Sequence, residues 1–319
     1  MGVRMLNKYL REYASEGIKE ITLNDLRNKK IAIDISIFLY QFKGSNALLE
    51  NFYKMIMLFR QYHIVPIFVF DGTPPDEKIE ILNKRDETKK IAQKKCEALE
   101  LQLQTDDTLD DREKKELEFQ LKENQKKCIR ITNANIREVK SLMNILGVSF
   151  VEATGEADEL CVYLVKKKHA WACMTEDMDM FVYGCQRVIR GFNLEKGTAH
   201  LYTTAEILKN LKMSQSEFRE VCLLAGTDYN KSRFNIFSTM GLFYKYLRRK
   251  RGTISFYDWL IYTKTITSDS RNILVNSGKL FLVTSYAKLE IPQFTNRKIM
   301  KDEVNSYLEK HNINYLINL

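Results

Sequence analysis

A central, mostly parallel, twisted sheet with helices on both faces, an α/β fold, is the architecture expected of this 319-residue chain. Over roughly its first two thirds, short β-rich runs alternate with helical patterns. The strongest of these runs are apolar throughout, as strands buried on both faces of a parallel sheet are. A hydrophobic content of 45% over this length is enough for a sizeable core.

From the N-terminus, the expected strands are Lys30-Ile31-Ala32-Ile33-Asp34, Pro66-Ile67-Phe68-Val69-Phe70-Asp71, Val148-Ser149-Phe150-Val151 and Ala170-Trp171-Ala172-Cys173-Met174. Weaker candidates run from Arg187 to Arg190 and from Ala199 to Tyr202. Between the second and third strands, from about Asp76 to Arg130, the chain is dense in charge and nearly free of Gly and Pro. It reads as two helices broken near Thr105-Asp106-Asp107-Thr108, where short polar side chains compete for backbone hydrogen bonds. Apolar residues are too sparse there for a core helix, so much of this hairpin is expected to stand away from the body. Glu159 to Val165 reads as an amphipathic helix and Val221 to Ala225 as an apolar one. After Asp228 the chain turns aromatic, Lys- and Asn-rich and helical, with a basic run Arg248-Arg249-Lys250-Arg251 ahead of Gly252. A final amphipathic helix is expected from Lys301 to His311, before a short apolar tail. The expected division is an α/β core over 1–229 and a helical part over 230–319.

Lys and Arg number 50 against 41 Asp and Glu, a net charge of +9 that suits nucleic acid better than an acidic membrane surface. The four His (His63, His169, His200, His311) are scattered, and the six Cys (Cys96, Cys128, Cys161, Cys173, Cys185, Cys222) form no CxxC pair. That pattern excludes zinc ribbons, fingers and most thiol redox chemistry, leaving the cysteines as free, packed thiols. With no basic-then-apolar leader and no apolar run near the ~18 residues a membrane span needs, the chain is expected to be neither secreted nor membrane-integral.

The acids carry the functional signal. Asp34 ends the first strand, Asp71 the second, and Glu176-Asp177-Met178-Asp179 follows the fourth. Ligands of open parallel sheets bind at the carboxyl ends of the strands, so these groups are expected on one edge. Glu156 and Asp158 fall in a first helical turn, and Asp228 follows an apolar helix through Gly226 and Thr227. Taken singly, each acid is as well explained by a helix cap or a solvated turn. Together, several carboxylates at one edge need cations, because like charges raise one another's pKa. An all-oxygen set without His or Cys suits Mg²⁺ or Mn²⁺. In a basic protein this points to phosphodiester hydrolysis.

At these same residues the chain resembles the XPG-like structure-specific 5′ nucleases, in particular their flap endonuclease branch. The matching pieces are Met1-Gly2-Val3, Ile33-Asp34-Ile35-Ser36, Leu39-Tyr40-Gln41-Phe42, Val69-Phe70-Asp71-Gly72-Thr73-Pro74-Pro75, Gly155-Glu156-Ala157-Asp158, Thr175-Glu176-Asp177-Met178-Asp179 and Leu224-Ala225-Gly226-Thr227-Asp228-Tyr229. The resemblance implies a PIN-like 5′ nuclease core in which Asp34, Asp71, Glu156, Asp158, Asp177, Asp179 and Asp228 hold two Mg²⁺ ions, with Mn²⁺ able to substitute. Asp158 departs from the family's usual Glu by one methylene. The charged insertion becomes a helical arch, with Lys78 and Arg85 reaching the scissile phosphate and Lys126, Lys127 and Arg130 as basic positions on its return helix, where acidic neighbours such as Asp110, Asp111, Glu113 and Glu116 make a solvated face as good a reading as a DNA contact. Tyr40 matches a base-stacking aromatic, and Gly2 a residue whose amine lies near the site.

Beyond Tyr229 the resemblance fades. The family's helix-hairpin-helix carries closely spaced glycines, whereas Lys231-Ser232-Arg233-Phe234-Asn235-Ile236-Phe237-Ser238-Thr239-Met240-Gly241 retains one. Lys231, Arg233 and the Arg248 to Arg251 run substitute by charge in this degenerate motif, that run being equally well read as a solvated helix end. No sliding-clamp motif is visible near the C-terminus. The resemblance implies a monomeric 5′ flap endonuclease and 5′–3′ exonuclease acting on branched or flapped DNA in replication, repair or recombination. It would work inside the cell, in the nucleus or at a viral DNA replication site. The alternatives are a catalytically silent junction-binding scaffold and an RNA-directed nuclease of related fold.

Overall fold

The computed structural model describes residues 2–74, 78–105, 110–250, 254–283, 286 and 292–313. In chain order the elements are α1 (Leu6–Tyr13), β1 (Ile18–Thr22), β2 (Lys30–Asp34), α2 (Ile35–Gly44), α3 (Leu48–Gln61), β3 (Val65–Phe70), α4 (Ile79–Thr105), α5 (Asp111–Cys128), α6 (Asn133–Ile145) and β4 (Ser149–Glu152). There follow α7 (Ala157–Lys166), β5 (Ala172–Met174), α8 (Asp179–Tyr183), β6 (Arg187–Asn193), β7 (Thr198–Thr203), α9 (Thr204–Leu211), α10 (Gln215–Ala225), α11 (Ile236–Lys250), α12 (Phe256–Tyr262), α13 (Ser268–Leu280) and α14 (Lys301–Lys310).

Among the described residues the sheet has seven strands in the order β1-β7-β6-β5-β2-β3-β4. From β6 to β4 all neighbours are parallel, and β7 and β1 add an antiparallel margin. The period of two in each strand feeds two cores. Ala32, Ile67, Val69, Cys173 and Val188 face the layer of α1, α7 to α11 and α13. Their neighbours Ile31, Ile33, Phe68, Phe70, Met174 and Ile189 face α2, α3, α6 and α14. β2 between its ends, β3 and β5 are therefore continuously apolar because both of their faces are covered.

Two expectations change at the margins. β1, with exposed Lys19 and Glu20, was not anticipated; it pairs on one side alone and needs no apolar alternation. β4 was expected to be buried on both faces, but it is the opposite edge strand, with side chains half-buried or exposed. A returning segment covers it: Arg297 N donates to Gly147 O (2.9 Å), Met300 N to Ile145 O (3.1 Å) and Ser149 Oγ to Thr295 O (3.4 Å). Val304 and Leu308 of α14 then bury into the α3–α6 core, so residues 292–313 sit on the sheet side of the molecule.

α4 and α5 form an antiparallel hairpin in which the 27 residues of α4 span roughly 40 Å. No residue of α5 is buried, and Ala92 and Cys96 are the buried apolar side chains of α4 among the described residues. The hairpin thus stands off the body. The expected break at 105–108 lies mostly outside the described residues, between α4 and α5. Pro75, Arg251, Gly252 and the apolar tail are also outside them.

Candidate active site

β2 ends at Asp34, whose carboxylate accepts from Ser36 N (3.0 Å) and so caps α2 while facing the carboxyl edge of the sheet. Asp71 follows β3, and its Oδ1 accepts from Ala157 N (2.8 Å) at the first turn of α7. That contact depends on Gly72: a Cβ there would lie 2.0 Å from Ala153 O, and its N–H donates to Gly155 O (2.7 Å). The close approach brings Glu156 and Asp158 beside Asp71. After β5, Thr175 Oγ1 donates to Asp34 Oδ2 (2.9 Å) and accepts from Asp177 N (3.1 Å). Asp179 N donates to Asp177 Oδ1 (2.9 Å), and Val3 N to Asp179 Oδ1 (3.1 Å). Gly2 lies so near that a Cβ would meet both Asp177 and Asp179 oxygens at 2.5 Å.

Six of the acids, Asp34, Asp71, Glu156, Asp158, Asp177 and Asp228, line one cavity of about 1070 Å³ between the sheet edge and the base of the hairpin. Asp179 stands directly behind Asp177. Burial and the charge of Asp71 push Asp34 up to about 7. Burial, then the neighbouring aspartates, raises Asp158 and Asp179 well above the usual carboxylate range, and burial raises Asp177. Among the described residues no three of these acids close on a single point as a preformed cage.

The opposite wall is basic. Lys78, buried just before α4, pairs with Glu156 and lies 3.9 Å from Asp228. Burial depresses its ammonium, but the charges of Glu156, Asp158 and Asp228 outweigh this and hold its pKa above the ordinary value. Arg85 Nη2 donates to Asp228 Oδ2 (3.0 Å) from two turns further along the same face. Tyr40 is 43% exposed at the cavity mouth, with Lys89 Nζ 4.9 Å from its ring centroid. Lys127 lines the cavity as well.

Other expected residues lie elsewhere. Lys126 is exposed and pairs with Glu123 on its own helix (2.5 Å), while Arg130 pairs with Asp86 (3.2 Å), bracing the two arms of the hairpin. Lys231 and Arg233 are exposed outside the cavity, and Arg233 donates to Thr265 O (2.8 Å). Gly241 is interior to α11 with open space where a Cβ would point, so it makes no tight turn. Glu176 does not join the acids at the site: its carboxylate turns to Arg190 Nη2 (3.0 Å) and Gly191 N, on β6. Three residues that sequence reasoning passed over hold the acids in place: Ser36 donates to Asp71, Thr175 to Asp34, and Tyr229 to Glu156. Each is within two residues of an acid already singled out, and that adjacency is the signal that would have found them.

The XPG N-terminal domain matches residues 1–92 and the XPG I-region residues 147–228. Flap endonuclease 1 of Encephalitozoon cuniculi is 33% identical over 248 residues, which cover 72% of this chain and 68% of that protein. Flap endonuclease 1 of Entamoeba dispar is 33% identical over 249 residues, 72% of this chain and 62% of its own length. The catalytic core of Rad2 in complex with DNA substrate superposes with a TM-score of 0.67 at 21% identity, over 97% of this chain and 94% of that one. The Holliday junction-resolving enzyme GEN1, solved with product DNA, Mg²⁺ and Mn²⁺, does so at 0.51 and 17%, over 97% and 65%. With the sheet order, the acids at its carboxyl edge and these matches in hand, the chain belongs to the XPG-like family of structure-specific 5′ nucleases.

Proposed function

We propose that this protein is a divalent-cation-dependent 5′ flap endonuclease that also removes nucleotides 5′ to 3′, acting on branched DNA in replication, repair or recombination. The observation that carries the reading is the single cavity in which six acids from five chain segments face Lys78 and Arg85. The donor set fits Mg²⁺, with Mn²⁺ as substitute: it is all oxygen, three of the seven acids are buried, and buried Asp158 Oδ1 has no hydrogen-bond partner. Asp34, Asp71, Glu156, Asp158, Asp177, Asp179 and Asp228 would hold two ions. The chemistry such a pair supplies is polarisation of the phosphodiester and activation of water.

The protein's own groups do the rest. Lys78 and Arg85 exchange Glu156 and Asp228 for phosphate oxygens and stabilise the charge that develops on them. Their pairing with those carboxylates keeps both heads aimed into the cavity before substrate arrives. Tyr40 offers a ring on which a base next to the cut stacks, a contact of ~1–3 kcal/mol. The hairpin, with Lys127 and Lys89 facing inward, guides a single strand past the acids, and Gly2 leaves room for Asp177 and Asp179 to lie against the backbone. Arg130 braces the hairpin and, with Lys126, Lys231 and Arg233, offers charge to the flanking duplex. On this reading 1–229, with 292–313 packed back onto its sheet, carries the chemistry and the helices between 230 and 283 hold duplex, at replication sites in a nucleus or a viral factory.

The test is cleavage of end-labelled 5′ flap, nick, gap and single-stranded DNA, together with an RNA flap, with Mg²⁺ and with EDTA. Flap cleavage near the junction is expected with Mg²⁺ alone, and Asp177→Ala is expected to reduce it to background. Undiminished cutting by that variant or in EDTA would overturn the reading.

A further inference from the structure

The edge of the sheet opposite the acids carries charge of the other sign. Strands β6, β5, β2, β3 and β4 are parallel, so the segments leading into them share the amino edge. Those segments, 184–187, 166–171, 27–30, 61–64 and 145–148, contain no Asp or Glu. Lys29 and Lys30 precede or open β2, Lys167 and Lys168 lie ahead of β5, and Arg187 opens β6. At the other end, the returning segment seats exposed Arg297 and Lys298 beside Gly147, with Asn296 Nδ2 donating to Ile64 O (2.9 Å).

Local geometry shows that the cations are gathered. Trp171, half-buried in the middle of the strip, has Lys29 Nζ 4.1 Å and the Arg187 guanidinium carbon 5.0 Å from its ring centroid. Trp171 N donates to Lys30 O (2.7 Å), tying the β5 lead-in to β2. Among the described residues none of these seven cations is ion-paired with a carboxylate, and Lys29 contributes only the smallest of the effects that lower the pKa of exposed Asp25. Lys and Arg are common where helices end, and α3, α6, α7 and the short α8 all end on this edge. Four helix C-termini account for roughly −2 charges, at about −0.5 each. Seven formal positive charges exceed that several-fold, so capping does not explain the strip.

We infer that the amino edge is a second nucleic-acid surface, one that takes the phosphate backbone of a single strand. Five strands spaced about 4.8 Å apart make it roughly 19 Å wide, room for the short end of the ~4–16 nucleotides that single-strand platforms cover. Duplex DNA, with a persistence length of about 150 bp, is too stiff to occupy the acidic cavity and then turn onto the opposite edge. A flexible strand has no such restriction. The strip gathers cations with no carboxylate partner, two of them held against the Trp171 indole, and repeating phosphates are the complement that such a row of charge takes.

The proposal goes beyond cleavage, and binding is what its test reads. The full chain is titrated, in EDTA, with labelled flap junctions carrying a 5- or a 30-nucleotide 5′ single strand, across 50 to 200 mM salt. The variants are Lys167→Glu with Lys168→Glu, and Arg297→Glu with Lys298→Glu, each checked by thermal melting. Wild type is expected to bind the long strand more tightly and with a steeper salt dependence. Each double variant should flatten that slope by roughly 1.4, at about 0.7 per phosphate contact, and weaken long-strand binding roughly fivefold or more. Short-strand binding, and its cleavage rate in Mg²⁺, should not change. Wild-type slopes in both variants, equal losses on both junctions, or competition by polyglutamate as effective as that by single-stranded DNA would each overturn it. If the protein cuts nothing, the binding arms still decide the matter.

Discussion

Asp34 works as strand terminus, helix cap and cavity wall at once, and its neighbours show how. Ser36 N and Thr175 Oγ1 each hold one oxygen, so the carboxylate has one orientation available despite burial and the charge of Asp71. Thr175 also accepts from Asp177 N, coupling two acids through one hydroxyl. Replacing it by the isosteric Val removes the hydroxyl and little volume. Thr175→Val is therefore expected to weaken Mg²⁺ binding or activity by about 10–100-fold, as loss of an orienting partner does, with the melting temperature nearly kept. Titrating Mg²⁺ against flap cleavage and against melting temperature separates the two effects. Unchanged Mg²⁺ dependence would show that Asp34 and Asp177 orient themselves without it.

At the scale of the element, α10 connects the site to the C-terminal helices. It begins with a capping box, Ser214 with Glu217, and ends three residues before Asp228. On its flank Glu220 is half-buried where Tyr257 Oη donates to its carbonyl (2.9 Å), and burial, with the charges of Glu217 and Asp258, pushes its carboxyl up to about 7. The folded value exceeds the unfolded one, so the protonated form favours folding. That stability is present below about pH 4.5 and is lost as pH rises through about 7. Glu220→Gln should raise the melting temperature at pH 8 and leave it nearly unchanged at pH 4.5. Melting curves across pH check this, and an equal shift at both ends would rule out the ionisation. The α4–α5 hairpin behaves oppositely: its long charged faces pack on each other more than on the body, so little of the fold depends on it.

For the whole molecule, charge is the organising quantity. The net +9 of the whole chain conceals an acidic carboxyl edge and a basic amino edge held apart by the length of the strands. The buried Asp34, Asp177 and Asp179 carry like charge close together, and burial strengthens the repulsion. A ligand that binds the folded form alone stabilises it, and more so where it relieves repulsion. Mg²⁺ at millimolar concentration is expected to raise the melting temperature by about several degrees at pH 8, and EDTA to reverse this, with a smaller effect in Asp177→Asn. A rise of the same size in that variant would place the ion elsewhere.

Much of this site was legible in the chain because its acids follow the strands. A strand that is apolar on both faces announces where it ends, and the residue at its end has one edge to face. Asp34 and Asp71 are in that position, Asp177 follows β5 closely, and short glycine-containing turns carry Glu156, Asp158 and Asp228. Contacts between distant parts of the chain were not legible. Arg85 reaches Asp228 across 143 positions, Glu176 turns to Arg190 while its neighbour Asp177 faces the cavity, and Gly241 sits in a helix where a turn was sought. Nor did periodicity foretell that β1 and β4 are edges or that residues 292–313 return to the sheet. Local pattern sets which element forms and where it stops, since backbone hydrogen bonding and side-chain period act over a few residues. Which partner a charged side chain takes depends on burial and distance, and those exist only after the strands have been ordered.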